Sequence, residues 1–225
     1  MLLKQKWVFV ALFLILYPVT VYSQVSFKKL PVGGTGFGFE FSPQEDFTTI
    51  GARLDYGINT DSKISFGGGI GFADDDYLES FGGDVPPTPA VGVSVIHIQS
   101  LGQSELEYFL QGGFSGAFAR VVDNVSDDTI VNSRAFTLSG GGGILKRLKT
   151  QSEWVLIPYF ALSYTNIWLT VENTQWDYEE TDSDGSFGGN IGLEIELSKK
   201  MSVIGSFAFS FESSDTVFSL GLNFH

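Results

Sequence analysis

The chain has 225 residues, 43% of them hydrophobic, with 27 glycines, 21 phenylalanines, no cysteine and a formal net charge of −13. Without cysteine it has no disulfide and no thiolate metal site. So acidic a chain offers the phosphates of nucleic acid no basic surface, and its dispersed apolar, glycine and aromatic content suits many strands better than a helical bundle.

Residues 1–23 read MLLKQKWVFVALFLILYPVTVYS. Lys4 and Lys6 precede an apolar run from Trp7 to Tyr17, and Pro18 interrupts it. Val21 and Ser23 stand at the third and first positions before Gln24. This is the pattern of a cleaved signal peptide. The run is shorter than the ~20 apolar residues a spanning helix needs. No later stretch is long and apolar enough to span as a helix, so further membrane contact must come from strands. Residues 24–33 form a short basic periplasmic lead-in with Lys28 and Lys29.

From residue 34 onward, period-2 alternation dominates. Phe37, Phe39 and Phe41 alternate with Gly36, Gly38 and Glu40. Ile50, Leu54 and Tyr56 oppose Thr49, Arg53 and Asp55, and the turn Asn59-Thr60-Asp61-Ser62 follows. Ile64, Phe66 and Ile70 then oppose Ser65, Gly67 and Gly69. Leu110, Phe114 and Phe118 oppose Glu107, Gln111 and Ser115. Phe136 and Leu138 oppose Ser133 and Thr137, and Ile191, Leu193 and Ile195 oppose Asn190, Glu194 and Glu196. Phe207 and Phe209 oppose Ser206 and Ser210. The segments 89–99 and 153–172 alternate less cleanly. Ten strands are predicted, over 34–42, 46–58, 63–73, 89–99, 104–121, 131–146, 153–172, 185–197, 201–212 and 215–224, most of them long enough to cross a bilayer at a tilt.

One face of these strands is large and apolar. The other is Gly, Ser, Thr, Asn and scattered charge. A soluble sandwich packs its apolar face inward, whereas a membrane barrel turns it to lipid and keeps small polar residues in a narrow lumen. Closure also satisfies every backbone N–H and C=O, as lipid requires. The expectation is an all-β chain whose residues 34–225 form a closed antiparallel up-and-down transmembrane barrel of ten strands, with eight as the alternative. Short turns near 59–62, 99–103, 146–152 and 198–200 alternate with longer loops near 74–88, 122–130 and 173–184. Lys63, Lys146, Arg147, Lys149, Lys199 and Lys200 gather at the short-turn end. The loops are acidic: Asp74, Asp75, Asp76, Glu79 and Asp84, then Asp123, Asp127 and Asp128, then Asp177, Glu179, Glu180, Asp182 and Asp184. An even strand count puts both termini in the periplasm.

The last residues, TVFSLGLNFH, set Phe218, Leu220, Leu222 and Phe224 at two-residue steps. This resembles the closing strand of bacterial outer-membrane proteins, whose aromatic end is recognised by the barrel-assembly machinery; His225 after the aromatic is a departure. With the strand pattern, the mature chain resembles the small outer-membrane barrel superfamily typified by OmpA and OmpX, without a close named member. The resemblance implies an outer-membrane location, outer-membrane lipid around the barrel and the assembly machinery as a partner during biogenesis.

Candidate chemistry is sparse, and no cofactor is implied. His97 and Ser100 are three apart on a strand, hence on opposite faces, and no catalytic set results. Gly33 to Gly38 lacks the helix start that a phosphate cradle needs. The inward charges Glu40, Arg53, Asp55, Glu107, Glu194 and Glu196 form either an ion-pair plug or the lining of a narrow cation path, with Arg120 or Arg134 as further compensating charges. The acidic loops carry oxygen ligands for divalent cations, though no EF-hand spacing; a solvated anionic surface is the plainer reading. Trp154, Trp168, Trp176 and Tyr178 suit aromatic girdles or loop bases. The reading favoured is a non-enzymatic envelope barrel with a structural or surface-interaction role. Its rivals are a narrow channel for small cations or solutes and a membrane-embedded lipid hydrolase.

Overall fold

A computed structural model describes residues 26–43, 47–73, 83–102, 105–123, 129–173, 178–212 and 216–225. Ten strands follow one another: β1 (Thr35–Pro43), β2 (Phe47–Gly57), β3 (Ser62–Ala73), β4 (Thr88–Ser100), β5 (Leu106–Asp123), β6 (Thr129–Lys146), β7 (Val155–Asn173), β8 (Tyr178–Ser198), β9 (Met201–Ser210) and β10 (Thr216–Phe224). Each pairs antiparallel with its neighbours in sequence, and β10 pairs back onto β1, with Phe37 opposite Phe224. The barrel is therefore closed with ten strands rather than eight. Two-residue strands at Gly83–Asp84 and Leu148–Lys149 add to β5 and β7.

The alternation fixes which face is which. Phe37, Phe39 and Phe41 are 41%, 48% and 43% exposed, while Gly36, Gly38 and Glu40 between them are buried. The same holds around the ring, with Leu54, Phe66, Val91, Leu110, Leu138, Leu162, Ile191, Phe207 and Leu220 all exposed on the outer face. So large a continuous apolar surface is not stable in water. Along β7 it runs from Leu156 to Trp168, interrupted by Asn166; at about 3.3 Å per residue and a tilt near 40° this is about 30 Å of height, the thickness of a bilayer core.

The strands are unequal. β5, β6, β7 and β8 have 18, 18, 19 and 21 residues, against 9 to 13 elsewhere. Four adjacent strands thus rise beyond the rest as a wall at the end opposite the termini. This corrects the loop expected at 173–184: Tyr178 to Asp184 pairs with β7, Tyr178 opposite Asn173 and Asp184 opposite Ile167. Likewise β5 and β6 run to Asp123 and from Thr129, into the loop expected at 122–130. Apart from Ser183 and Asp184, which are in register with the top of the belt, these residues stand above the lipid level, so neither face needs to be apolar, and pairing continues without the alternation that marks a spanning strand.

Inside, small residues let aromatic rings lie flat. A Cβ on Gly143 would meet Phe109 Cζ at 2.7 Å, and one on Gly192 would meet the Tyr159 hydroxyl at 2.5 Å. Both rings belong to an apolar cluster at the end bearing the termini. It comprises Phe27, Ile96, Ile98, Phe109, Leu145, Ile157, Tyr159, Ala161 and Ile204. Inward Ile96, Ile98 and Ile157 make β4 and β7 apolar on both faces there, which is why 89–99 and 153–172 alternate poorly.

Candidate functional site

The cluster is completed by the segment before β1. Ser26, Phe27 and Leu30 are buried, and the Phe27 ring lies 4.8 Å from Phe109 and 4.5 Å from Tyr159, centre to centre. The lead-in therefore enters the barrel mouth as a plug. A turn returns the chain to the wall: Gly33, at φ 74°, donates its N–H to Gly57 O, and Gly57 N donates to Gly34 O. Positive φ costs glycine little.

Two arms of charge hold the plug. In the first, the fully buried Glu194 accepts from Ser26 Oγ at 2.6 Å and from the Phe27 N–H at 2.7 Å. Ser202 Oγ also donates to Glu194. Asn223 Nδ2 donates to Ser202 Oγ at 3.3 Å, and Arg53 donates to Asn223 Oδ1 at 2.8 Å. Arg53 and Lys63 both donate to Asp55, at 2.7 and 3.2 Å. In the second arm, Arg147 reaches into the mouth from the turn after β6. Its guanidinium donates to Phe27 O at 2.6 Å, Glu107 Oε2 at 2.7 Å and Glu196 Oε1 at 3.0 Å. Lys29 joins Glu107 to Asp61, at 3.0 and 3.1 Å. A buried charge is tolerated when paired and hydrogen-bonded in this way.

Of the six lumen charges singled out in the sequence, Arg53, Asp55 and Glu194 lie in the first arm and Glu107 and Glu196 in the second. Glu40 stands apart, buried, with Oε1 unpartnered among the described residues. Beside it and Arg53 is a cavity of about 20 Å³, lined also by Gly51, Gly67 and Ser94. That is room for a single water, far below a pore. The compensating cations are Lys29, Lys63 and Arg147 from the termini-bearing end. Arg120 and Arg134, expected as lumen partners, instead project outward from the wall, because they share the parity of Phe118 and Phe136. Sequence reasoning missed Phe27, Ser26, Ser202 and Asn223 as plug contacts. The one signal available was apolar Phe27 and Leu30 in an otherwise basic segment.

β10 carries Phe218, Leu220, Leu222 and Phe224 on its outer face and closes the ring between β9 and β1. His97 Nδ1 lies 2.9 Å from Ser62 Oγ, while Ser100 Oγ donates to Glu107 at 3.4 Å, so the two are on opposite faces. Trp154 and Trp168 are exposed. Trp176, Asp74, Asp75, Asp76, Glu79, Asp127, Asp128 and Asp177 lie outside the described residues. Among the described residues no group of three or more metal-ligating side chains is assembled. At the rim, the hydrogen bond from Lys29 holds the Asp61 carboxyl below its ordinary pKa. Burial, with Lys28 and Lys63 nearby, lowers the His225 imidazole to about 4.

No protein-family model and no curated protein matches the sequence. Solved structures similar to this one are outer-membrane β-barrels. The N-terminal barrel domain of OprF from Pseudomonas aeruginosa is 8% identical, with a TM-score of 0.38, over 86% of this chain and 97% of that one. The translocator domain of the autotransporter NalP from Neisseria meningitidis is 9% identical, with a TM-score of 0.46, over 85% and 86%. The attachment invasion locus protein Ail of Yersinia pestis is 11% identical, with a TM-score of 0.34, over 84% and 91%. The likeness is one of fold, shared by barrels whose roles differ.

Proposed function

We propose that the chain is an integral outer-membrane β-barrel protein with a non-enzymatic structural or surface-interaction role in the cell envelope, its lumen closed at the periplasmic mouth. The observation that carries this reading is the pairing of a lipid-height apolar belt with a mouth filled by Phe27 and clamped by Glu194 and Arg147. Residues 1–23 are its export signal, removed on secretion. The wall of β5–β8 then stands on the cell surface and the termini lie in the periplasm. Its partners are outer-membrane lipid and, during biogenesis, the assembly machinery acting on Phe218, Leu220, Leu222 and Phe224; divalent cations at the acidic surface loops are a further class. The decisive experiment is fractionation with gel electrophoresis of boiled and unboiled samples. The protein is expected with outer membranes, migrating differently when unboiled. Recovery in a soluble fraction with a single boiling-independent band would reject the reading.

A further inference from the structure

Row by row, the outer face of the wall changes chemistry. Leu138 is followed by Phe136 beside Trp168, then by Arg134 beside Phe118 and Thr170, then by Asn132 beside Arg120 and Glu172. The change from ring to guanidinium within one row marks where hydrocarbon gives way to headgroups. At that level an open cleft of about 500 Å³ lies on the wall, with the prolines around the start of β4 along one side. Arg120, Arg134, Asn132, Thr170, Glu172 and Phe118 line the other side.

We propose that this cleft binds the phosphorylated sugar headgroup of an outer-leaflet glycolipid. The inference rests on the reading that the belt below faces lipid. Arg120 and Arg134 are diagonal neighbours on adjacent strands, about 7 Å apart at Cβ in a regular ladder. Two guanidinium forks at that spacing can close on one phosphate. Arg134 meets Glu179 at 3.3 Å, but with the two side chains 54% and 57% exposed the pair holds it weakly. The Arg120 side chain makes no hydrogen bond or ion pair with another of the described residues. Glu172 decides against bare phosphate, which it would repel. It accepts from hydroxyls, and with Asn132 and Thr170 it supplies the mixed donors and acceptors that a sugar ring takes. Phe118 and the prolines offer an apolar wall to the sugar's C–H face. The occupant is a lipid rather than a soluble sugar phosphate because Phe136 and Trp168 stand one row below the cleft on the same outer face, where the acyl-facing belt begins.

The test uses the full mature chain in detergent micelles doped with a bisphosphorylated glucosamine-disaccharide lipid, with binding read by native mass spectrometry. Wild type is expected to bind this lipid at least tenfold more tightly than its dephosphorylated form. The Arg120→Ala/Arg134→Ala variant is expected to lose that preference while keeping its boiling-dependent mobility shift, which shows an intact barrel. An unchanged preference in the double variant overturns the proposal. Binding of the free, deacylated headgroup as tightly as the lipid overturns the lipid assignment. Absence of the mobility shift in wild type removes the barrel reading itself, a different failure from loss of the cleft.

Discussion

Glu194 is the residue on which the mouth turns. It is wholly buried, and its two oxygens serve a backbone N–H and two hydroxyls. Replacing it with alanine leaves the Phe27 N–H buried without an acceptor, so Glu194→Ala is expected to lower stability by about 3 kcal/mol, whereas Glu196→Ala, at the partly exposed end of the Arg147 fork, costs under about 1 kcal/mol. Urea-unfolding midpoints in lipid vesicles compare the two, and equal losses would remove Glu194 from the clamp. His225 adds a pH dependence. The folded chain holds its imidazole neutral to about 4, below the ordinary 6.5. Between these values the unfolded chain binds the extra proton, so stability falls as pH drops from about 6.5 to about 4 and this contribution is flat below. Carboxyl groups titrate nearby, so the readout is the difference between wild type and His225→Phe. The variant is expected to lose less stability across that window; identical profiles would exclude the contribution.

At the scale of the element, β8 is the unusual strand. β9 reaches only as far as Ser210, opposite Gly188, so the upper part of β8 is paired with β7 alone among the described strands. An edge of this kind invites pairing with another chain. Here Asp182 and Asp184 accept from the N–H groups of the residues that follow them, Ser183 and Gly185, both at 2.8 Å. The aspartates thus occupy donors and add charge along the edge. Asp182→Ala/Asp184→Ala is expected to shift the protein toward concentration-dependent dimers, followed by sedimentation in detergent; an unaltered sedimentation profile would show that the edge is protected by other means. This strand also shows where the sequence stops being legible. Lipid demands an apolar residue at every second position, so Phe37, Phe39 and Phe41, or Ile191, Leu193 and Ile195, announce a spanning strand. Water makes no such demand, and Tyr178 to Asp184 reads as loop though it is laddered. The mouth was hidden for the opposite reason. Inward Ile96, Ile98 and Ile157 blur the alternation, and their partner Phe27 lies in a segment with no periodicity at all. Glu194 and Glu107 were recognisable as inward charges from parity, but the donors that meet them, Ser26 and Arg147, come from a lead-in and a turn.

For the molecule as a whole, the question is which barrier closes the lumen. Two are present in series. The mouth is filled by an apolar cluster around Phe27, and further in, beside Glu40 and Arg53, the inward side chains leave a small polar cavity. They differ in kind. The inner cavity is lined by glycine, serine, Glu40 and Arg53, which water wets, whereas an apolar constriction excludes ions by desolvation. The mouth is therefore the higher barrier. It is also the one that small changes undo, because one side chain, Arg147, joins Phe27 O, Glu107 and Glu196. Phe27→Ala/Arg147→Ala removes the ring that fills the mouth and the cation that closes it. In planar bilayers wild type is expected to be silent and the variant to show small steps that favour K⁺ over Cl⁻, since Glu107, Glu194 and Glu196 would then face the opening with one compensating cation fewer. Neutralising Glu194 and Glu196 in that background should erase the preference. A variant that keeps its boiling-dependent mobility and stays silent would place the barrier at the glycine-lined inner cavity, where no movement of the lead-in relieves it, and the channel reading would fall with it.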